Sequence, residues 1–405
     1  MKALKSIYHY LLAILGAIYY RFPSRQIYVI AITGTKGKSS TAELLSAILE
    51  EAGYKTAICS TIRFKIAQES ENNLKKMTMP GRAFIQKFLC RAVNAKCDYA
   101  IIEMTSQGVL QHRHRFINLN ALIFTNLTPE HIESHGSYEN YVSAKLQLGK
   151  ALQLSPKLNR VLVANGDDKE SLKFLAYNIP TKVSFHLASA PNYIANTRLV
   201  GEFNKYNLLA AATFAKTQGV SDELIKKAFD NVDVIRGRME KVSGDPPAGG
   251  FDVIIDYAHT ADSLEKVYNA LSTLHPSPSK LICVLGGTGG GRDHWKRPVM
   301  GKIAATHCAK IFLTDEDPYD ENPREIVDQI AAVIPPEKYE IEMDRRIAIR
   351  KALRLASKLA QGSNNHPVVI ITGKGTDPCI MGPNGTQTPW SDAEVAREEL
   401  AKAGK

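Results

Sequence analysis

The sequence lacks the patterns that mark several large classes of protein. It contains no Lys- or Arg-rich block, no RNA-binding signature, no internal repeat and no low-complexity tract. Its positive charge is dispersed, with Lys and Arg exceeding Asp and Glu by 51 − 41 = 10 residues. A dispersed positive excess favours small anionic ligands such as nucleotides or phosphorylated sugars, and we expect no nucleic-acid partner.

The cysteines lack any paired spacing. No Cys-x-x-Cys pair and no Cys/His zinc pattern is present among the six, which are Cys59, Cys90, Cys97, Cys283, Cys308 and Cys379. Several lie in apolar runs that read as strands. We therefore expect reduced, buried thiols in a cytoplasmic protein, and neither a disulfide framework nor a zinc site.

The first 26 residues lack the small-residue cleavage site of a secretory signal. Apolar residues recur at helical spacing, but the apolar centre, residues 10–20, is shorter than the roughly 20 residues that a membrane span needs. Lys2, Lys5, Arg21 and Arg25 flank this centre. Two alternatives stay open: a helix packed on the following domain, or an interfacial helix that associates with the inner face of the membrane.

The stretch IYVIAITGTKGKSS, residues 27–40, is the strongest local signal. An apolar strand-like run ends in a glycine-containing turn, and a helical pattern follows. This arrangement cradles the phosphates of a nucleoside triphosphate, because backbone N–H groups face the anion, Lys38 adds charge and Ser39 can hold Mg²⁺. Ile32 stands where the strict motif has its first glycine, so the stretch is a variant P-loop.

Apolar runs alternate with helical patterns along the rest of the chain. This rhythm predicts an α/β fold, with a P-loop-containing central parallel-sheet domain and a C-terminal Rossmann-like α/β domain. A length of 405 residues allows two or three domains. We place an N-terminal apolar helix at 1–26, a central ATP-binding domain at 27–235 and a C-terminal domain at 236–405.

Polar residues follow the predicted strands, where the ligands of open α/β sheets gather. Glu103 ends the run DYAIIEM, and His131 follows the run NALIFTNL. A carboxylate across from a P-loop suits Mg²⁺. Spacing alone, however, favours a structural interpretation of each residue: a solvated strand end for Glu103, a structural histidine for His131, and an exposed residue of an amphipathic helix for Lys145.

Several motifs, taken in sequence order, resemble those of the Mur ligases, the ATP-dependent amide-bond-forming enzymes of cell-wall precursor synthesis. The resemblance is strongest to the branch that adds the third residue of the peptide, and it covers the chain from about Ile27 onwards. The motifs are TGTKGKSS, EMTSQGVLQHR, FTNLTPEHIESHG, AKLQL, GEFNKYN, GRME, DYAHTADSLEK, KRPVMGKIA and GKGTD.

The resemblance implies a mechanism and a set of catalytic and metal-binding residues. ATP would convert an acceptor carboxylate to an acyl phosphate, which an incoming amine attacks to form an amide. The implied catalytic residues are Lys38, His131 and Lys145. Two Mg²⁺ ions would be held by Ser39, Glu103, His131 and Lys145, with Lys145 carried as a carbamate.

The resemblance also implies the ligands of the nucleotide and of the substrates. ATP would contact Gly34, Thr35, Lys36, Gly37, Lys38, Ser39, Ser40, Asn204, Arg238, Asp256 and His259. A muramyl-peptide or related anionic acceptor and a free amino acid would contact Thr78, Pro80, Thr105, Ser106, Arg113, Asp317, Tyr319, Gly373 and Asp377. We expect a monomer, with the amino acid bound by the C-terminal domain.

Two departures from the family pattern concern the substrates. Family members carry an N-terminal domain that grips the UDP part of the acceptor, whereas only 26 residues precede the P-loop strand here. We therefore expect an acceptor held without that domain, and a lipid-linked one is conceivable. Diaminopimelate-adding members use Asp-Asn-Pro-Arg, where this chain has Glu316-Asp317-Pro318-Tyr319. This exchange favours an incoming lysine or ornithine, unless Arg324 supplies the missing guanidinium.

Two other functions share part of this pattern. A ligase of the folylpolyglutamate synthetase type shares the ATP chemistry, but the chain has no Thr-Ser-Pro-His-Leu folate loop. A non-catalytic nucleotide-binding relative would not need Lys38, Glu103, His131 and Lys145 together. The sequence therefore favours the muramyl-peptide ligase.

Overall fold

The computed structural model describes residues 2–81, 83–130, 132–195, 197–244, 250–274, 281–291, 294–361 and 366–403. The chain divides into two compact units. The first contains Met1–Arg198 and Glu202–Asp233, and the second contains Leu199–Gly201 and Val234–Lys405. His131, for which the sequence predicts a catalytic and metal-binding role, lies outside the described residues.

The first unit is built on a mainly parallel sheet. Its described strands run in the order β4-β3-β2-β5-β1-β6-β7-β8, with β3 and β4 forming an antiparallel hairpin at one edge. The strands are β1 Tyr28–Thr33, β2 Thr56–Cys59, β3 Arg63–Ile66, β4 Glu69–Asn72, β5 Tyr99–Glu103, β6 Ala121–Phe124, β7 Val161–Asn165 and β8 Thr181–Phe185. The central strands are buried almost completely, as expected for a parallel sheet covered on both faces.

Helices cover both faces of this sheet. They are α1 Lys2–Tyr19, α2 Lys38–Glu51, α3 Phe84–Asn94, α4 Ser106–Leu110, α5 Ile132–His135, α6 Tyr138–Gln153, α7 Ser171–Leu175, α8 Asn192–Ala195, α9 Glu202–Thr217 and α10 Asp222–Asp230. Several begin at side-chain caps: Thr105 accepts from Gly108 N, Ser137 from Asn140 N and Ser221 from Leu224 N. The helices after β1, β5 and β6 therefore start at the carboxyl edge of the sheet.

The N-terminal helix α1 packs on the first unit with one face and exposes the other. Ala17 is fully buried, and a Cβ on Gly16 would lie 2.4 Å from the Ala83 Cβ, so only glycine allows this approach to the start of α3. Leu4, Tyr8, Leu11, Leu15 and Ile18 remain exposed, as do Ile7, Tyr10 and Tyr19. None of the described helices combines the length and the hydropathy that crossing a bilayer requires.

The second unit is also an α/β sandwich. Its described sheet runs in the order β13-β12-β11-β14-β10-β9, parallel except for β9, and a separate antiparallel pair joins β15 and β16. The strands are β9 Glu240–Lys241, β10 Asp252–Asp256, β11 Leu281–Leu285, β12 Lys310–Leu313, β13 Tyr339–Ile341, β14 Val368–Thr372, β15 Cys379–Met381 and β16 Gln387–Pro389. The helices are α11 Ala261–Leu274, α12 Lys296–His307, α13 Pro323–Ala331, α14 Arg345–Ala360 and α15 Asp392–Ala403. The predicted α/β architecture is confirmed.

The expectation that all cysteines are reduced is wrong. A disulfide joins Cys283, within β11, to Cys308, just before β12, with their Cα atoms 6.0 Å apart. The reason is topological: β11 and β12 are adjacent parallel strands, so the residue that precedes β12 returns beside β11 after α12. Spacing along the chain could not show this. Cys59, Cys90, Cys97 and Cys379 are free thiols.

Candidate active site

The loop of residues 34–37 after β1 is closed by contacts from the end of β6. Gly34 and Gly37 have positive φ angles of 154° and 81°. A Cβ at Gly34 would lie 1.9 Å from Thr125 Oγ1, and one at Gly37 would lie 2.1 Å from Asn207 Oδ1. Thr35 N donates to Asn126 O, and Lys36 N donates to Asn126 Oδ1. The glycines are thus required sterically, and the loop is held in one shape.

Two lysines converge on one carbonyl of this loop. Lys38 Nζ donates to Gly34 O at 2.9 Å and to Thr35 O at 2.8 Å. Lys145 Nζ, reaching from α6, donates to the same Gly34 O at 2.7 Å. Two ammonium groups that share one oxygen repel each other, so the geometry favours one neutral amine. It also places positive charge where the phosphates of a nucleotide would lie.

Lys145 is the lysine whose protonation the site opposes. Its side chain is almost completely buried, and its pKa lies well below the ordinary value of 10.5, because burial disfavours the ammonium and the charge of Lys38 adds to the effect. Glu130, which pairs with Lys36 at 3.0 Å, acts in the opposite direction. The reading of Lys145 as an exposed helix residue, left open by the spacing, is wrong.

Glu103 and Ser39 offer oxygen ligands near the loop. Glu103 ends β5, which pairs directly with β1, and its side chain is fully buried. Its two carboxylate oxygens accept from Thr61 N at 2.9 Å and Thr61 Oγ1 at 3.2 Å. Ser39 lies in the first turn of α2 and is buried. Mg²⁺ is coordinated by hydroxyl and carboxylate oxygens, so the side chains of Ser39 and Glu103 are suitable ligands for this ion.

The described residues do not form a metal site from side chains alone. No group of three or more His, Cys, Asp or Glu residues among them could hold a metal ion. Mg²⁺ bound to a nucleotide takes most of its ligands from phosphate oxygens and water, and needs only one or two from protein. The pair Ser39 and Glu103 therefore fits a nucleotide-bound Mg²⁺.

The predicted acceptor residues of the first unit gather beside Glu103. Thr78 Oγ1 lies 2.8 Å from Thr61 Oγ1, the hydroxyl that donates to Glu103. The guanidinium of Arg113 donates to Met79 O, next to Pro80. Thr105 caps α4, and the Ser106 hydroxyl lies 3.1 Å from His135 Nε2. Burial lowers the pKa of His135, a residue that the sequence did not single out.

The predicted nucleotide residues outside the loop divide between the two units. Asn204, in α9 of the first unit, accepts from Asn207 Nδ2, and Asn207 in turn packs on Gly37. Arg238 of the second unit lies over the Tyr257 ring at 4.4 Å. The second unit also contains Asp256, which accepts from Met239 N and Ala258 N, and His259, which contacts Tyr257 O. Their nucleotide roles stay predictions.

The predicted amino-acid residues of the second unit surround a buried lysine that the sequence did not single out. Lys374 Nζ lies 2.8 Å from Asp317 Oδ1 and 3.5 Å from Asp377 Oδ2, and its side chain has no exposed surface. Tyr319 has a positive φ of 53° and donates its N–H to Met381 O. Arg324, the alternative guanidinium, is exposed and pairs with Asp328 on its own helix.

The second unit contains further buried charged residues next to Asp317. Glu316 is buried, and burial raises its pKa. Its Oε1 accepts from Thr288 Oγ1 at 2.8 Å, whereas Oε2 has no hydrogen-bond partner among the described residues. A Cβ on Gly373 would lie 2.3 Å from that oxygen. Arg345, also buried, is matched by Asp392. Glu316 and Gly373 were named from the sequence, whereas Thr288, Arg345 and Asp392 were not, because only the fold brings them to this site.

Two family profiles together match most of the chain. The Mur ligase middle domain matches residues 32–194, and the Mur ligase glutamate ligase domain matches residues 237–375. These ranges include the loop and Lys145 in the first unit, and Arg238, Lys374 and their neighbours in the second. The motif-based resemblance is thus confirmed.

Curated relatives match over nearly the whole chain. The UDP-N-acetylmuramoyl-L-alanyl-D-glutamate–2,6-diaminopimelate ligase of Syntrophomonas wolfei is 36% identical over 392 residues, covering 90% of this chain and 76% of that protein. The UDP-N-acetylmuramyl-tripeptide synthetase of a Roseiflexus species is 32% identical over 432 residues, covering 97% of this chain and 82% of that protein.

Solved structures share the fold. A UDP-N-acetylmuramoyl-L-alanyl-D-glutamate–2,6-diaminopimelate ligase matches with a TM-score of 0.63 and 23% identity, covering 98% of this chain and 83% of that one. The folylpolyglutamate synthase of Mycobacterium tuberculosis matches with a TM-score of 0.72 and 16% identity, covering 96% and 94%. At these identities both matches concern the fold alone. The sequence relatives decide the family: this chain belongs to the Mur ligases and is an ATP-dependent acid–amino-acid ligase.

Proposed function

We propose that this chain joins an amino acid to the carboxylate of a muramyl-peptide acceptor at the expense of ATP, in the synthesis of peptidoglycan precursors. A carboxylate oxygen attacks the γ-phosphorus, the bond to ADP breaks, and an acyl phosphate forms. The amine nitrogen then attacks the acyl carbon, phosphate leaves, and the amine proton passes to solvent or a base. The observation that carries the proposal is the convergence of Lys38 and Lys145 on Gly34 O, beside the buried Glu103.

Each residue of the site has a part in this chemistry. Lys38 and the N–H groups of residues 34–40 would bind the phosphates and stabilise the charge that develops during transfer. Ser39, Glu103, the carbamate of Lys145 and, by resemblance, His131 would hold the two Mg²⁺ ions that neutralise phosphate charge. Thr78, Pro80, Thr105, Ser106 and Arg113 would orient the acceptor, because they lie at the same sheet edge as Glu103.

The electrostatics of the site support a carbamate on Lys145. A lysine held neutral is the form that attacks CO₂: the N–C bond forms, a proton leaves, and the side chain becomes an anion. That anion would stand beside Lys38 and replace a repulsion with an attraction. The lowered pKa of Lys145 supplies the neutral amine.

A substrate screen tests the ligase proposal. Purified protein with ATP and Mg²⁺ would be offered amino acids together with UDP-linked, lipid-linked and free muramyl dipeptides. We expect a product one amino acid heavier by mass spectrometry, and phosphate released in equal amount. If no pair of substrates gives an amide while ATP binding is intact, the ligase proposal fails.

For the incoming amino acid we propose a side-chain amine without a second carboxylate, as in lysine or ornithine. Asp317, Asp377 and Glu316 provide three carboxyl groups against the single ammonium of Lys374. Tyr319 has no guanidinium with which to pair a distal carboxylate. Arg324, the alternative guanidinium, forms an ion pair with Asp328 on its own helix. In a competition among lysine, ornithine and diaminopimelate, we expect lysine or ornithine to be incorporated at least about tenfold faster. Preferential incorporation of diaminopimelate would contradict this.

We further propose that α1 rests on the anionic inner face of the membrane while the protein stays a monomer. The outward stripe of Leu4, Tyr8, Leu11, Leu15 and Ile18 is apolar and exposed. Charge complementarity supports a lipid surface, because the first acidic residue is Glu43, whereas Lys or Arg stands at positions 2, 5, 21, 25, 36 and 38.

Vesicle flotation tests the membrane contact. We expect the protein to float with vesicles that contain phosphatidylglycerol and to stay behind with phosphatidylcholine alone. Leu11→Glu/Leu15→Glu should abolish flotation. Leu154→Glu/Leu158→Glu, at two exposed leucines that follow α6, is the matched control and should float normally. Equal partitioning of both variants would contradict the membrane contact. If light scattering showed a dimer that dissociates only in the α1 variant, the exposed stripe would instead bind a second copy of the chain.

A further inference from the structure

The segment of residues 373–391 connects β14 to α15 and folds back over the second unit's site. It carries Lys374 near its start and the antiparallel pair β15–β16 further on. Met381, in β15, donates its N–H to Asp317 Oδ1 at 2.7 Å, and its carbonyl accepts from Tyr319 N at 3.1 Å. The 373–391 segment therefore contacts the residues that follow β12 both through Lys374 and through its β15 backbone.

The two ends of the 373–391 segment meet at one buried guanidinium. Arg345, the first residue of α14, donates through Nη2 to the carbonyl of Thr372, the last residue of β14, at 2.7 Å. Its Nε and Nη2 also donate to the two carboxylate oxygens of Asp392, the first residue of α15, at 2.8 Å each. The side chain of Arg345 is 1% exposed and that of Asp392 is 0% exposed. A two-point ion pair of this kind fixes direction as well as distance, so it holds the start and the end of the segment together.

The same guanidinium also holds the chain that follows β12. Arg345 Nη1 donates to the carbonyl of Asp315 at 3.2 Å. The next residue, Glu316, lies so close to the chain after β14 that a Cβ on Gly373 would be 2.3 Å from its Oε2. Because β11 lies between β12 and β14 in the sheet, no ladder of backbone hydrogen bonds joins these two strands directly. The Arg345 side chain therefore supplies a direct link between the two strand ends that carry the site.

Asp392 keeps the guanidinium charged and in place. Burial acts to lower the pKa of Arg345, but the charge and the hydrogen bonds of Asp392 outweigh it, so the pKa lies above the ordinary arginine value. Trp390 ties Asp392 to the segment, because its Nε1 donates to Asp392 Oδ1 at 2.7 Å and its backbone N donates to Pro378 O at 2.9 Å. A buried ion pair that loses one partner leaves an uncompensated charge, so each member of the pair depends on the other.

We propose that the buried pair of Arg345 and Asp392 positions the amino-acid site of the second unit. By holding both ends of the 373–391 segment at the end of β12, the pair keeps Lys374 against Asp317. Neither member of the pair touches the substrate, and both act through the residues that they hold. The identity of the substrate rests on the proposed function, whereas the positioning rests on the contacts of the pair.

Hydrogen exchange tests the positioning without any substrate. Arg345→Lys keeps a positive charge but lacks the planar set of N–H groups that reaches three partners at once, and Asp392→Asn removes the carboxylate charge at nearly constant volume. Mass spectrometry would follow peptides that cover residues 316–322 and 378–390. We expect both variants to exchange these amides at least about tenfold faster, as for a local opening, and to keep the wild-type rate in β11. Wild-type exchange of both peptides in the two folded variants would overturn the proposal.

Arg350→Met is the matched control, because Arg350 joins the same two helices at a different place. Its Nε lies 2.6 Å from Glu399 Oε2, which connects α14 to α15 without contact to either strand end. The control should leave the exchange of both peptides unchanged. Equal acceleration in the control and in the two test variants would show that any weakened contact between α14 and α15 loosens the site, which would contradict a specific role for Arg345.

Steady-state kinetics tests the consequence for recognition, with lysine and ornithine as the probe amino acids. Arg345→Lys and Asp392→Asn should raise the KM for the amino acid at least about tenfold, and should change the KM for ATP and kcat less than about threefold, because lost substrate binding appears in KM. Equal rises in the two KM values, or no rise in the KM for the amino acid, would contradict the positioning role. Failure of the wild type to form any amide would count against the ligase function and leave the exchange result standing.

Discussion

Two buried lysines, Lys145 and Lys374, stand near the carboxyl edges of the two sheets and differ in their partners. Lys145 donates to the carbonyl of Gly34 and has Lys38 beside it. Lys374 is held by the carboxylates of Asp317 and Asp377. Burial is nearly complete for both. Burial alone therefore does not decide the role: a lysine beside another cation is available as a neutral nucleophile, whereas a lysine between carboxylates is a structural charge.

Removal of the charge of Lys374 should have the largest effect on stability. Lys374→Met removes the ammonium that pairs with the buried carboxylates of Asp317 and Asp377, so we expect a loss of about 3–5 kcal/mol in the free energy of unfolding. Urea unfolding followed by circular dichroism measures this. The double variant Lys374→Met/Asp317→Asn also removes one of the two carboxylate charges and should recover part of the lost unfolding free energy. A cost below about 1 kcal/mol in the single variant would show that the two carboxylates do not depend on this lysine.

Lys145→Met should do the reverse, with a large loss of activity and little loss of stability. The substitution removes a buried amine that the site keeps from charging, and methionine fills a similar volume. We expect kcat to fall at least about a hundredfold, as when a group that stabilises transition-state charge is deleted. ¹³C-bicarbonate labelling should give a carbamate NMR signal in the wild type that the variant lacks.

Lys150→Met is the control for Lys145→Met, because Lys150 is exposed on the same helix. It should keep both the activity and the carbamate signal. Near-normal kcat in Lys145→Met would contradict the carbamate role, whatever the labelling shows.

The same comparison predicts a pH dependence of stability. The folded-state pKa of Lys145 is below its ordinary value of 10.5, so between those two values the unfolded chain binds the proton and the folded chain does not. Stability from this residue therefore rises with pH within that window, and it is lowest below the folded-state pKa. Lys145→Met should flatten the rise in unfolding free energy as the pH increases towards 10.5, and an unchanged slope would show that Lys145 is protonated equally in both states.

The sequence was sufficient for features that depend on neighbouring residues. Apolar runs such as those of β1 and β5 became strands, and the turn at residues 34–37 became the predicted loop. Each follows from spacing within a few residues. The edge position of Glu103 was also predictable, because the carboxyl ends of parallel strands meet at one edge.

The features that escaped prediction depend on contacts between distant parts of the chain. Lys145 lies 111 residues from Gly34, and helical spacing made it look exposed. Nothing in the sequence indicates the role of Lys374, which lies between Gly373 and Gly375 in the motif GKGTD. The disulfide between Cys283 and Cys308 could be predicted only from the knowledge that β11 and β12 are adjacent strands. The contact between α1 and the start of α3 could not be predicted, because only helix packing brings Gly16 and Ala83 together.

The smallest expected effect comes from the hydroxyl that braces the loop near Lys145. Tyr141 is buried on α6, and its OH lies 3.0 Å from Thr35 Oγ1. Tyr141→Phe removes one neutral hydrogen bond, worth about 1 kcal/mol, so we expect the KM for ATP to rise about two- to fivefold with kcat nearly unchanged. Tyr138→Phe removes the hydroxyl on the same helix that contacts Leu127 O instead of the loop, and it should leave the KM for ATP unaltered. A kcat loss in Tyr141→Phe as large as that in Lys145→Met would mean that the loop's shape, and not the neutral lysine, sets the rate.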